Sequence, residues 1–146
     1  MALGISCNRC HGDGAKHVEQ RLAGAPFKNT NSEEILNPKR LSGDQQNQLC
    51  GQCHLQGVAR VLKPGQRWDE YDPRTPLADY MTIFVAKGES GPDFGIASHG
   101  ARLKLSACAA KGGATCGHCH NPHKEEKELS HRGACVSCHA DTKDCT

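Results

Sequence analysis

The chain has 146 residues, 36% of them hydrophobic and only 4% aromatic, with sixteen Gly, seven Pro and ten Cys. So thin a supply of large apolar side chains suits a single domain, residues 1–146, whose interior is filled by something other than side chains. A formal charge of +2, dispersed Lys and Arg and scarce aromatics exclude a nucleic-acid surface, and no run of about 18 apolar residues exists to span a bilayer.

In chain order, the first feature is Cys7-Asn8-Arg9-Cys10-His11, followed by a short helix expected over Lys16 to Ala23. Ser42 with Gln45 three residues on resembles a capping box, and it opens a helix from Gln46 to Cys53 that presents Cys50-Gly51-Gln52-Cys53-His54 at its end. The segment from Lys63-Pro64-Gly65 to Asp72-Pro73-Arg74-Thr75-Pro76 is turn-rich, and Met81 to Ala86 is a short apolar run ambiguous between strand and helix. Ser98 is placed to cap a helix from His99 to Lys111, closed by Gly112-Gly113, with Leu103, Leu105 and Cys108 as its buried stripe. Next come Cys116-Gly117-His118-Cys119-His120, then the mixed run Lys124-Glu125-Glu126-Lys127-Glu128, read as a solvated helix-prone face, and last Cys135-Val136-Ser137-Cys138-His139. The fold class expected is mostly irregular with short α-helices and little β, and the long stretch from Leu55 to Thr115 carries most of the non-motif structure.

Four copies of Cys-x-x-Cys-His are the attachment signal for c-type haem. Two thiols three positions apart form thioethers to the porphyrin edge, and the next residue, His, reaches the iron. Chance alone predicts roughly 0.04 matches from the Cys and His content, so four copies are not coincidence. Zinc explains the cysteine pairs but gives no reason for a His directly after each. Disulfides within each Cys-x-x-Cys close only tiny loops and leave the same His unexplained. The reading is four covalent haems on Cys7, Cys10, Cys50, Cys53, Cys116, Cys119, Cys135 and Cys138, with His11, His54, His120 and His139 as proximal ligands. The porphyrins then form the core. Haems three and four are neighbours, because only residues 121–134 separate their motifs. Haem attachment outside the cytoplasmic membrane makes the chain extracytoplasmic. Met1-Ala2-Leu3-Gly4-Ile5-Ser6 lacks both leader regions, so the leader is expected to be removed or omitted and Met1 not to be the native start.

Nine histidines satisfy the eight positions that bis-histidine ligation of four irons requires. His17, His99, His123 and His131 are the distal candidates. His123 lies too close to its own motif to reach the opposite face of the same porphyrin, so it is expected to serve a neighbouring haem. His118, held between two tethered cysteines, is left out of the ligand set. Met1 is terminal and Met81 sits in a packing run, so neither displaces histidine. Cys108 and Cys145, outside the motifs, are either two free thiols or a disulfide that pins the C-terminus.

Four segments carry a resemblance to known proteins: Ile5-Ser6-Cys7-Asn8-Arg9-Cys10-His11-Gly12-Asp13-Gly14-Ala15-Lys16-His17, Leu49-Cys50-Gly51-Gln52-Cys53-His54-Leu55-Gln56-Gly57, Ser98-His99 through Cys108, and Thr115-Cys116-Gly117-His118-Cys119-His120-Asn121-Pro122-His123. Over almost the whole chain they resemble multihaem cytochromes c of the nitrifier-cytochrome type. Asp13 stands where that family commonly has Pro, and longer members carry another haem segment ahead of the point where this chain starts. The resemblance implies distal ligation by His17, His99 and His123. Some small tetrahaem cytochromes resembling this family polymerise into extracellular filaments, a His of one subunit ligating a haem of the next.

The expected function is therefore electron transfer to other redox proteins or cytochromes, with the chain as a homo-oligomeric, filament-forming subunit at or outside the cell surface. The alternative is a monomeric periplasmic carrier. An enzyme acting on small nitrogen compounds is the third reading; it needs an open iron, whereas the histidines here are enough to close every site.

Overall fold

Ser42 starts the longest helix as its sequence predicts. Its hydroxyl accepts from Gln45 N (3.2 Å) while Gln45 Oε1 accepts from Ser42 N (3.2 Å), satisfying donors that the first helical turn leaves orphaned. In this computed structural model, which describes residues 4–26, 35–54, 57, 59–85, 99–124 and 131–139, that helix is α3, Gly43–His54. Before it come α1 (Asn8–His11), α2 (Ala15–Leu22) and a 3-10 turn (Pro38–Arg40). After it come β1 (Ala59–Leu62), α4 (Leu77–Tyr80), β2 (Met81–Phe84), α5 (His99–Leu105), α6 (Ala107–Ala110), α7 (Cys116–Cys119) and α8 (His131–Val136). Short helices, irregular chain and one small sheet make up the described residues.

The ambiguous run at 81 is a strand. β1 and β2 pair antiparallel with Leu62 opposite Met81 and Ala59 opposite Phe84, and Lys63 N donates to Tyr80 O (2.9 Å) where the connection closes. The turn-rich segment between the strands folds back on them through two tyrosines whose ring centroids lie 5.1 Å apart. Tyr71 donates to Thr75 O (3.0 Å) and Tyr80 to Arg67 O, so both hydroxyls are satisfied as their rings are buried. α4 docks on α3 through Leu77 N, which donates to Gln48 Oε1 at 2.7 Å.

The side-chain core is small. Leu49, Tyr71, Leu77, Tyr80 and Met81 form it, with Leu41, Leu62 and Ile83 packed alongside. Ile5, Leu22 and Leu105 meanwhile stand 81%, 85% and 67% exposed. Ion pairs such as Lys104–Asp44 (3.4 Å) join exposed partners and add little.

The helix expected from His99 to Lys111 is two helices. Ser106 divides them: its hydroxyl donates to Leu103 O (2.7 Å) and accepts from Ala109 N (3.2 Å), ending α5 and capping α6. The break shifts the helical phase, and the expected buried stripe is absent: Leu103 is half-buried, while Leu105 and Cys108 are exposed. Closure by glycine holds. Gly113, at φ +64°, donates to Ala109 O and Ala114 N donates to Cys108 O, the paired bonds of a left-handed helix stop. The Ser98 cap, Ala86, the charge run at 125–128 and Cys145 lie outside the described residues.

Candidate haem-attachment sites

Cysteine and histidine at i, i+3 and i+4 share one side of a helical turn. The motifs adopt that turn. His11 N donates to Cys7 O (3.0 Å), His120 N to Cys116 O (2.9 Å) and His139 N to Cys135 O (2.9 Å), while Cys50 to His54 complete the last turn of α3. Each motif thus sets two cysteines and a histidine on one side of a helical turn. The nine described cysteines are all free, and most are exposed.

Contacts between motifs run in series. α1 is tied to α3 by buried Gln52, whose Nε2 donates to Arg9 O (3.1 Å) and Leu49 O (2.9 Å). α3 is tied to α7 by Asn47, whose Oδ1 accepts from Cys116 N (2.9 Å), and by the buried Thr115 hydroxyl, 3.4 Å from Gln46 Oε1. α7 in turn packs on α8. The thiols follow the same order. Burial first, then the Cys53 sulfur, pushes Cys10 up. The neighbouring Cys116 sulfur, then burial, raises Cys50, and the neighbouring Cys50 thiol lowers Cys116 to about 7. Burial, followed by Cys135, Cys108 and Cys138, raises Cys119.

Two histidines are fixed in opposite tautomers. His11 Nδ1 donates to Leu36 O (2.8 Å), while Leu36 N donates back to His11 O (2.9 Å); Nε2 is left with its lone pair, the arrangement of a metal-ligating imidazole. His118 Nδ1 instead accepts from Thr115 N (2.9 Å) and sits 3.0 Å from the Thr115 hydroxyl. Its hydrogen therefore sits on Nε2, and its role is to close the capping box of α7.

Of the distal candidates, His123 is brought to a motif histidine: its ring centroid lies 6.0 Å from that of His11, the planes 26° apart. His17 is half-buried on α2, and His99 is exposed at the start of α5. His131 opens α8. His54 and His120 are exposed and His139 half-buried. Beside Cys53 a cavity of about 200 Å3 is lined by Arg9, Gln52, Arg60, Trp68, Tyr80 and Met81. It is too small to hold a porphyrin. Gln52 Oε1 is buried without a partner there, and Arg60 donates to Cys53 O (3.1 Å) with its guanidinium 5.9 Å from the Trp68 ring centroid.

Leu36, Asn47, Gln52 and Thr115 are site residues the sequence did not reveal. Only Thr115 had a local signal, since Thr-x-x-His mimics the Ser/Thr-x-x-Glu/Gln box. Among the described residues no group of three or more His, Cys, Asp or Glu side chains is placed to hold a bare metal ion. No helix among them is long and apolar enough to cross a membrane. No family model, curated protein or solved structure matches the chain.

Proposed function

We propose that this chain is an electron carrier holding four c-type haems on Cys7/Cys10, Cys50/Cys53, Cys116/Cys119 and Cys135/Cys138, with His11, His54, His120 and His139 as proximal ligands. The observation that carries the reading is the same helical turn at every motif, with the turns linked one to the next along α1, α3, α7 and α8. The exposed Ile5, Leu22 and Leu105 fit it too, as apolar surface for porphyrin faces to cover. When bound, such haems supply one-electron redox chemistry at iron.

The chain's own residues have four tasks in this reading. Leu36 O holds the His11 ring in the tautomer that leaves Nε2 for a metal. Gln52 and Asn47 keep adjacent attachment points at fixed spacing. Arg9 and Arg60, beside Cys53, present cationic N–H donors suited to porphyrin carboxylates and would favour the reduced, less positive iron of a bound haem. His17, His99, His123 and His131 would supply the remaining ligands.

The same series runs from exposed Cys7 at one end to exposed Cys135 and Cys138 at the other. Head-to-tail joining of such ends gives an open filament outside the cell, with His17 or His131 ligating across the junction. The alternative is a monomeric periplasmic carrier. Mass spectrometry of protein matured in a cytochrome c host tests the haem reading: four haem additions are expected, and zinc or fewer than four haems overturns it. Electron microscopy of the same material tests assembly, where protein that stays monomeric at high concentration with every haem six-coordinate overturns the filament.

A further inference from the structure

We infer that His11 and His123 are the two axial ligands of one iron, so that the haem on Cys7 and Cys10 is closed by the histidine following the third motif. This rests on the haem reading above and assigns one partnership within it. The first support is metric. Two imidazoles bound from opposite sides at metal–nitrogen distances of roughly 2 Å have centroids roughly 6 Å apart, and the separation here is 6.0 Å with planes 26° apart. Distance alone also admits an ordinary ring contact, since aromatic pairs span about 4.5–7 Å.

The two rings lie as a near-parallel pair, and it is the tautomer of His11 that favours ligation over a bare ring contact. A stacked surface histidine needs no buried anchor, whereas His11 is gripped at Nδ1 by Leu36 O and at its backbone by Leu36 N, with Leu36 itself 3% exposed. That leaves Nε2 as its available lone pair. His123 is held as well: Asn121 Oδ1 accepts from His123 N (3.0 Å), setting the turn after the third motif. Topology brings the two together, because α3 binds α1 through Gln52 and α7 through Asn47. His123 cannot reach the far face of its own porphyrin, and the site it meets is the first motif.

Carbon monoxide counting on H11A, H123A and the H11A/H123A double variant tests this, since thioethers retain the haem when an axial ligand is removed. Each single variant should keep four haems and gain one high-spin iron that binds carbon monoxide when reduced. The double variant should also gain one, because both substitutions open the same centre. Two equivalents in the double variant, with four haems retained, overturn the pairing alone. Wild-type protein without four haems overturns the underlying reading and the pairing with it. If H11A does not mature, H123M keeps the centre six-coordinate. Its shifted methionine methyl resonance should then show through-space contacts to the haem bearing the Cys7 and Cys10 thioethers, and contacts to any other haem overturn the pairing.

Discussion

Asn47 Oδ1 accepts a 2.9 Å hydrogen bond from the backbone N–H of Cys116, so a side chain of α3 holds the first residue of the third motif. Removing the acceptor orphans a half-buried N–H. Asn47→Leu should destabilise the mature protein by about 1–3 kcal/mol, read as a lowered midpoint in denaturant, with haem content unchanged. An unaltered midpoint would show that the bond is replaced by water.

His118→Ala separates a capping role from a ligating one. Loss of the Thr115–His118 box should cost about 0.5–2 kcal/mol, while electron paramagnetic resonance still shows every iron low-spin. His17→Ala and His99→Ala should each instead produce one high-spin haem. The reverse ranking would exchange their roles.

Tyr71 makes stability fall at alkaline pH. It is 5% exposed, and burial first, then Asp72 and Asp44, raises its pKa from about 10 to about 12. The neutral phenol is the form the fold favours, so its contribution is complete below pH 10 and lost as pH rises through about 12; the loss is on the order of 2 kcal/mol. Tyr71→Phe should flatten the denaturation midpoint between those pH values. An unchanged alkaline slope would assign the loss elsewhere.

Gly57 faces the strand backbone. A Cβ there would lie 2.5 Å from Phe84 O and 2.8 Å from Ile83 Cγ2. Neither the strand oxygen nor the half-buried isoleucine moves cheaply, so Gly57→Ala should destabilise by about 1–3 kcal/mol. Thermal unfolding followed in the far ultraviolet measures it, and a neutral result would mean that β2 shifts to make room.

What the sequence made legible was local. The Ser42–Gln45 box is present, α2 lies within a residue of its expected limits, and the Gly112-Gly113 stop works as read, because each depends on neighbours within a turn or two. The helix from 99 was misread at Ser106, since a serine in mid-pattern can either point outward or bond back to the preceding turn. The run at 81 could be settled only by its partner, β1. The grip of Leu36 on His11, and those of Gln52 on Arg9 and Asn47 on Cys116, join residues far apart in sequence and leave no mark in a window of ten. Motif spelling named the candidate residues and the short linker made the last two motifs neighbours, whereas the adjacency of the first three came from tertiary structure.

Gln52 and Asn47 sit five residues apart on one helix, a rise of about 7–8 Å. The stagger between the first and third motifs is therefore ruled off along a single rigid rod. Chain between the second and third motifs can lengthen, shorten or drift in composition without changing that gauge, whereas one residue inserted between Asn47 and Gln52 would turn the two grips about 100° relative to each other and throw the series out of line.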